Sequence, residues 1–438
     1  NDGDIEIAGN VLKNGTAFLH TRGANFNTGL GLDAASSLTS GTYDTAIGYT
    51  AGQALTTGGS NTAVGGLAML KMNGIANTAI GAGSMGGFSG PTIGTGSNNT
   101  ALGELSLANL TDGHRNTAVG EASMAALTTG SDNVAVGRQS LAANTITPLN
   151  VAVGTSALSA FNSATGGDGF NVAIGGQSMG ALTSGFSNVA VGHFTLGSQT
   201  SAANSTAVGY TALANSAGDA NTAVGAFALH DVNGGGNIAV GSGAGSALTT
   251  SVGNIDIGNA GVAGESGKIR IGAAGVQTAA FIAGIRGVTT GAANAVAVVI
   301  DSNGQLGTVN SSRRYKEDIQ DMGEVSSGLM QLRPVTYRYS KAYADGSKPI
   351  DYGLIAEEVA AVYPDLVVKT SDGQIETVQY QKVNAMLLNE VQKQHREAGT
   401  QRDEIARQRA VIATQQQALD ELKARLTALE RTLAVVQR

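Results

Sequence analysis

The chain has 438 residues, a formal net charge of −7, 63 glycines, no cysteine, no tryptophan, and only 4 % aromatic and 13 % charged residues. The missing cysteines exclude disulfides and thiolate metal sites, and the acidic balance offers no footprint for nucleic acid. No apolar run reaches membrane-spanning length, and glycine without a three-residue period excludes collagen. What remains is a fibre composition, with Ala, Val, Leu and Ile filling a thin core.

The opening Asn1-Asp2-Gly3-Asp4 reads neither as a signal peptide nor as a natural first residue, which points to a removed signal or a start inside a longer chain. Residues 1–26 are assigned to an N-terminal β segment. From residue 27 a five-residue pattern, Asn-Thr/Val-Ala-Val/Ile-Gly, recurs and closes on glycines such as Gly103, Gly120, Gly137 and Gly154. Most repeats are 16 or 17 residues long, and two longer ones carry inserted loops at about 82–98 and 155–170. Each unit reads as a short strand, a Gly turn, a second short strand and a Gly/Asn/Ser turn. Alternation in Asn116-Thr117-Ala118-Val119-Gly120 puts Thr117 and Val119 on one face, with Asn116 and Ala118 on the other. One unit cannot bury its apolar face alone, whereas stacked units can. Small Ala and Gly suit a tightly wound coil, and Asn at a fixed place can form a ladder. Residues 27–272 are therefore expected to form a β-solenoid or β-roll.

Residues 273–310 lose the period and read as a β-rich neck, with a strand signal at Val296-Ala297-Val298-Val299-Ile300 and a turn at Asp301-Ser302-Asn303-Gly304. At Ser311 charge density rises and glycine thins out. Residues 311–382 read as a small α+β domain, with Tyr337, Tyr339, Tyr343, Tyr352, Tyr363 and Tyr380 expected to supply its core bulk. The last region, 383–438, is a helix and coiled coil. Val391, Ala398, Ile405, Ile412, Leu419, Leu426 and Leu433 lie seven apart, and Gln394, Gln401, Gln408, Gln415, Leu422, Leu429 and Val436 follow at an offset of three. Gly399 loosens the start, which leaves about 403–437 as the firm part.

The window Ser311-Ser312-Arg313-Arg314-Tyr315-Lys316-Glu317-Asp318-Ile319 resembles the opening motif of the endosialidase-type intramolecular chaperones. These are C-terminal domains of phage tailspikes and tail fibres, and of some bacterial and eukaryotic proteins. Leu332-Arg333-Pro334-Val335, Gly353-Leu354-Ile355-Ala356-Glu357-Glu358-Val359, Pro364-Asp365-Leu366-Val367 and Val378-Gln379-Tyr380 continue the likeness in order, over about 311–395. The resemblance implies a Ser/Lys dyad with Ser311 as nucleophile and Lys316 as general base, cutting the Asn310–Ser311 bond. A hydroxyl is a poor nucleophile until something takes its proton, and a desolvated amine can do so. Ser312 stands where that family usually carries Asp; two adjacent hydroxyls are present, and the five-residue offset to Lys316 favours Ser311. The repeated units at about 27–260 resemble the head repeats of trimeric autotransporter adhesins, which implies a parallel β-roll with three chains side by side.

The expected whole is mainly β: a homotrimeric β-roll or β-solenoid fibre, then a small α+β chaperone domain and a C-terminal trimeric coiled coil. Its expected partners are two further copies of itself and a host cell-surface glycan or protein receptor, with no nucleic acid, membrane insertion, cofactor or metal. His20, His114, His193 and His230 are scattered without metal-ligand spacing. A glycan-cleaving spike would need paired carboxylates and aromatic platforms; the inserted loops, with Phe88, Phe161 and Phe170, are the candidate recognition surface. Two alternatives are a bacterial trimeric surface adhesin that retains its chaperone domain uncleaved, and a receptor-degrading enzyme with its active site in an inserted loop or in a missing N-terminal part.

Overall fold

A computed structural model of the chain describes residues 11–13, 15–20, 26–88, 90–163, 167, 169–370 and 372–436. The opening Asn1–Asp4 and parts of the expected N-terminal segment and inserted loops lie outside the described residues. The chain divides into two compact units, Asn1–Ile282 and Ala283–Arg438.

In the first unit, short strands from Val11–Lys13 to Ile269–Ile271 stack into one sheet of 17 strands. Two of these, Val11–Lys13 and Thr16–His20, form an antiparallel hairpin on its first edge. The other fifteen are parallel and in register through fourteen pairings, which makes this a parallel β-solenoid. The inserted loops do not disturb the register: Thr78 pairs with Thr100, and Val151 with Val172.

The alternation seen in Asn116–Gly120 resolves with the small residues inward. Ala118 and its equivalents Ala101, Ala135 and Ala152 are fully buried, as is Asn116, while Thr117 and Val119 are only partly covered. A coil this tight has room at its strand for a methyl group. Longer side chains from the far wall, such as Leu107, Leu110, Met124, Leu127 and Leu141, fill the rest. The β-branched face is left outside, with Ile80, Val136, Ile174, Val240 and Ile257 at 36–40 % exposure.

The stretch expected as a second strand is instead a run of turns. Two non-glycine residues in it take left-handed backbone conformations, as in Ala122 (φ 53°) and Met124 (φ 49°). The first of the pair stays outside the core and the second enters it. Their N–H groups still bond to adjacent coils, Met124 to Ser140 O (3.0 Å) and Ala122 to Glu104 O (2.9 Å). Most coils thus satisfy their main chain without a second sheet, and only Ser184–Phe186 and Ser201–Ala203 pair as a short second one among the described residues.

Two side-chain devices hold the coils together. Gly120 closes its unit at φ 128°, and a Cβ there would sit 2.7 Å from the carbonyl of Gly137 on the next coil. Glycine is required at that place. Asn133 is representative of the second device. Its backbone N–H donates to Asn116 Oδ1 (3.0 Å), its Nδ2 donates to Thr147 O (3.0 Å), and its Oδ1 accepts the N–H of Asn150 (2.9 Å). This is the expected asparagine ladder, buried from Asn27 to Asn254, with Asp44 and Ser205 as the two different rungs. At Asp44 one carboxyl oxygen accepts from the backbone N–H and Nδ2 of Asn61 (2.9 and 3.0 Å), and the other has no partner. Burial pushes this carboxyl above its usual range, against the lowering effect of the Asn61 bonds.

In the second unit, Val299–Ile300 pairs with Leu306–Gly307 around an Asp301 turn, so the expected neck strand forms only at its last two residues. A 3₁₀ helix, Gly323–Gln331, precedes a hairpin of Val335–Tyr337 with Asp351–Gly353. Helix α1 (Ala356–Val362) leads into a second hairpin, Val367–Lys369 with Ile375–Val378, and then into α2 (Tyr380–Val436), which runs unbroken through Gly399. Leu329, Val359, Leu366, Val367, Val378, Val383 and Met386 make the core. The tyrosines do not supply its bulk as expected. Tyr339, Tyr343, Tyr352 and Tyr380 are exposed and only Tyr363 packs against the core, because the aliphatic residues of α1 and the second hairpin already fill it.

Candidate functional site

The 3₁₀ turn Arg313–Tyr315 folds the chain back on itself, with Tyr315 N–H bonded to Ser312 O (3.0 Å) and Lys316 N–H to Arg313 O (3.1 Å). One tight turn between positions five apart returns the second side chain to the first. Lys316 Nζ donates to Ser311 Oγ at 3.1 Å. Ser312 does not cap the turn with its side chain, and the Arg314 guanidinium lies over the Tyr315 ring at 4.8 Å. Ser311, Lys316 and the preceding Asn310 are all exposed, so water has access to the hydroxyl, the amine and the bond between Asn310 and Ser311. The geometry suits proton transfer between serine and lysine once water is shut out.

The downstream motifs converge. Arg333, from Leu332–Val335, makes a two-pronged ion pair with Glu358, from Gly353–Val359. That pairing holds the Glu358 carboxyl below its usual range. Leu354 N–H donates to the Tyr380 hydroxyl (3.0 Å), and the Tyr363 hydroxyl donates to Val325 O (2.9 Å). Residues 311–368 match the family described as chaperone of endosialidase. No curated protein and no solved structure matches the chain.

A polar cluster absent from the sequence reading ties this chaperone-type segment to α2. The Ser326 hydroxyl donates to Glu390, Asn389 Nδ2 donates to Gly323 O (2.9 Å) and Ser326 Oγ (2.6 Å), and Lys393 bridges Glu324 (2.8 Å) and Glu390 (3.1 Å). Ser326 and then Lys393 hold the Glu390 carboxyl below its usual range. Apart from Lys393 and Glu390, these partners lie more than sixty residues apart, and the only sequence signal is polar residues interrupting the apolar pattern of α2.

Among the described residues no group of three acidic or histidine side chains could hold a metal ion, and no helix is long and apolar enough to cross a membrane. His114 accepts the N–H of Ser97 (3.0 Å), a structural use. In the inserted loops, Phe161 is fully buried in the solenoid core and leaves the surface, whereas Phe88 and Phe170 are exposed.

Proposed function

We propose that the protein is a homotrimeric tail fibre or surface adhesin for attachment, whose C-terminal chaperone segment assembles three chains and then leaves by autoproteolysis between Asn310 and Ser311. The observation that carries this reading is the 3.1 Å Lys316 Nζ–Ser311 Oγ contact inside the segment matching the endosialidase chaperones. Assembly through copies of the same chain is supported by the apolar heptad residues of α2. Ile405, Ile412, Leu419, Leu426 and Leu433 are about half exposed on a single chain and recur at the coiled-coil period. The β-branched stripe of the solenoid has the same character, an apolar face without cover.

The step balances within one chain. Lys316, as the free amine, takes the Ser311 hydroxyl proton while Oγ attacks the carbonyl carbon of Asn310. The C–N bond breaks, the proton passes to the departing Ser311 nitrogen, and Asn310 is held as an ester on Oγ. Water then hydrolyses that ester and leaves a carboxyl on Asn310 and a free Ser311 amine. Trimer closure around the exposed site supplies the enclosure that the proton transfer needs, which makes cleavage a report of completed assembly. Loss of the folding aid then leaves the fibre kinetically trapped.

The exposure of both side chains, with Ser312 at the place the family usually gives to Asp, favours a second reading. In it the chain is a bacterial surface adhesin that keeps the domain as a permanent trimerisation cap. Intact mass decides between them. Autoproteolysis of the 438-residue chain yields fragments of 310 and 128 residues with Ser311 as the new N-terminus, and none from a Ser311→Ala chain. An uncut wild-type trimer rules out the peptidase role.

A further inference from the structure

Three successive coils of the solenoid carry aromatic side chains next to one another at the surface. His193, Tyr210 and Phe227 lie side by side, His193 stacked on Tyr210 (centroids 5.9 Å apart, planes 17° apart) and Tyr210 edge-on to Phe227 (5.4 Å, 74°). Tyr210 is 53 % and Phe227 47 % exposed. His193 and Tyr210 each follow the closing glycine of their coil, a place that holds Glu121, Arg138 and Thr155 on three earlier coils and Tyr49 on another, while Phe227 stands one residue further along. Main-chain bonds fix the row, since Thr211 N–H donates to His193 O (3.1 Å) and Phe227 N–H to Tyr210 O (2.9 Å).

One end of the row is polar. Phe227 abuts His230 (5.9 Å), His230 Nδ1 meets Asp231 (3.0 Å), and Asn215 Nδ2 donates to the same carboxyl (2.9 Å). The His230 and then the Asn215 bonds hold the Asp231 carboxyl below its usual range, so it stays an acceptor. No lysine or arginine occurs between Arg138 and Lys268. An anionic occupant would find no counter-charge and would meet Asp231.

We propose that His193, Tyr210 and Phe227, flanked by Asn215 and Asp231, form a docking platform for a neutral oligosaccharide of a cell surface. The proposal rests on the attachment part of the function above and adds the place and the ligand class. A pyranose ring presents a face of C–H bonds, slightly positive, to the negative face of an aromatic ring. Its equatorial hydroxyls need planar donors and acceptors beside that face, as the Asn215 amide and the Asp231 carboxylate provide. Successive coils rise by about 4.8 Å, so rings on neighbouring coils can take neighbouring sugars.

The test applies the full chain to an array of defined neutral and acidic oligosaccharides, then titrates the best binder. Tyr210→Ala and Phe227→Ala are compared with Tyr43→Ala, which breaks the remote exposed Phe26–Tyr43 stack. The expected result is binding confined to neutral sugars, weakened about tenfold or more by each platform variant and unchanged by Tyr43→Ala, with melting temperature and oligomeric state alike in all chains. Phe227→Tyr, which keeps the ring, is expected to retain binding. No bound sugar, binding only to acidic sugars, or binding unchanged in both platform variants overturns the proposal. A changed oligomeric state in those variants also overturns it, by showing that the row is an interface between copies. A chain that cuts itself and forms trimers but binds no sugar removes the platform and leaves the assembly reading intact.

Discussion

The two units of this chain handle incompleteness in opposite ways. Coils of the solenoid use their polar groups within the chain: an interior rung such as Asn133 has its amide and main-chain groups matched by the coils on either side. The C-terminal unit buries a small aliphatic core and leaves most of its tyrosines and the heptad residues of α2 exposed. A stack of repeats finds its complement in the next repeat and depends on neighbours along the sequence. A long helix with one apolar stripe has no such neighbour along the sequence and leaves that stripe exposed on a single chain. Buried amide and main-chain groups are met by the next repeat along the sequence, whereas an apolar helix stripe is not.

That contrast can be broken first at the helix. Leu419→Lys with Leu426→Lys is expected to abolish trimers in sedimentation velocity while the isolated chain keeps its helix content, because charge replaces the seam and not the helix propensity. An unchanged trimer would place the assembly interface elsewhere. Next comes the closing glycine. Gly120→Val forces a β-branched residue into φ 128° and against the Gly137 carbonyl, and is expected to cost about 3 kcal/mol or more. Hydrogen exchange should show that loss concentrated in the adjoining coils, as nearest-neighbour coupling requires.

A smaller effect is expected inside the ladder. Asn133→Leu strands the buried Asn150 N–H, while the Thr147 carbonyl keeps Asn144 Nδ2 (2.9 Å), a loss of about 2 kcal/mol readable by thermal denaturation. The smallest concerns Asp44, which sharpens the rule by being its exception. Its carboxyl is raised above its ordinary value of 3.8, so the folded state holds the proton more tightly than the unfolded one. Its contribution is complete below the unfolded value and is lost as pH climbs through the folded one, so this rung weakens from mildly acidic pH upward. Asp44→Asn supplies the missing donor without a charge. It is expected to gain about 1 kcal/mol near neutrality and to flatten that slope in melting temperature against pH.

Much of this was readable in the residues, for reasons that differ from place to place. The closing glycines and the ladder asparagines show themselves because a rung works only at a fixed spacing, and repetition makes the spacing visible. Ser311 and Lys316 lie five apart around a single turn, a local geometry that sequence carries well. The second stretch of each unit reads as a strand because Leu, Met and Ala alternate there as they would in one. The left-handed conformations of Ala122 and Met124 are locally unfavourable and exist only because stacked coils impose them. The Ser326–Glu390 contact spans 64 residues and leaves no periodic trace. The tyrosines were placed by bulk, yet a unit this small fills its centre with aliphatic residues first.

The tolerance of the stack for long units has a consequence for the making of fibres of different reach. Thr78 meets Thr100 across a 22-residue step as squarely as Thr100 meets Thr117 across 17, so added residues bulge outward and leave the rise per coil unchanged. Each whole unit gained or lost in the gene therefore shifts the two ends apart or together by one increment of about 4.8 Å. The interior rungs are interchangeable, so such a change asks for no redesign at either end. The first unit works as a ruler whose graduations are coils, and its length is a number that duplication and deletion can count up or down.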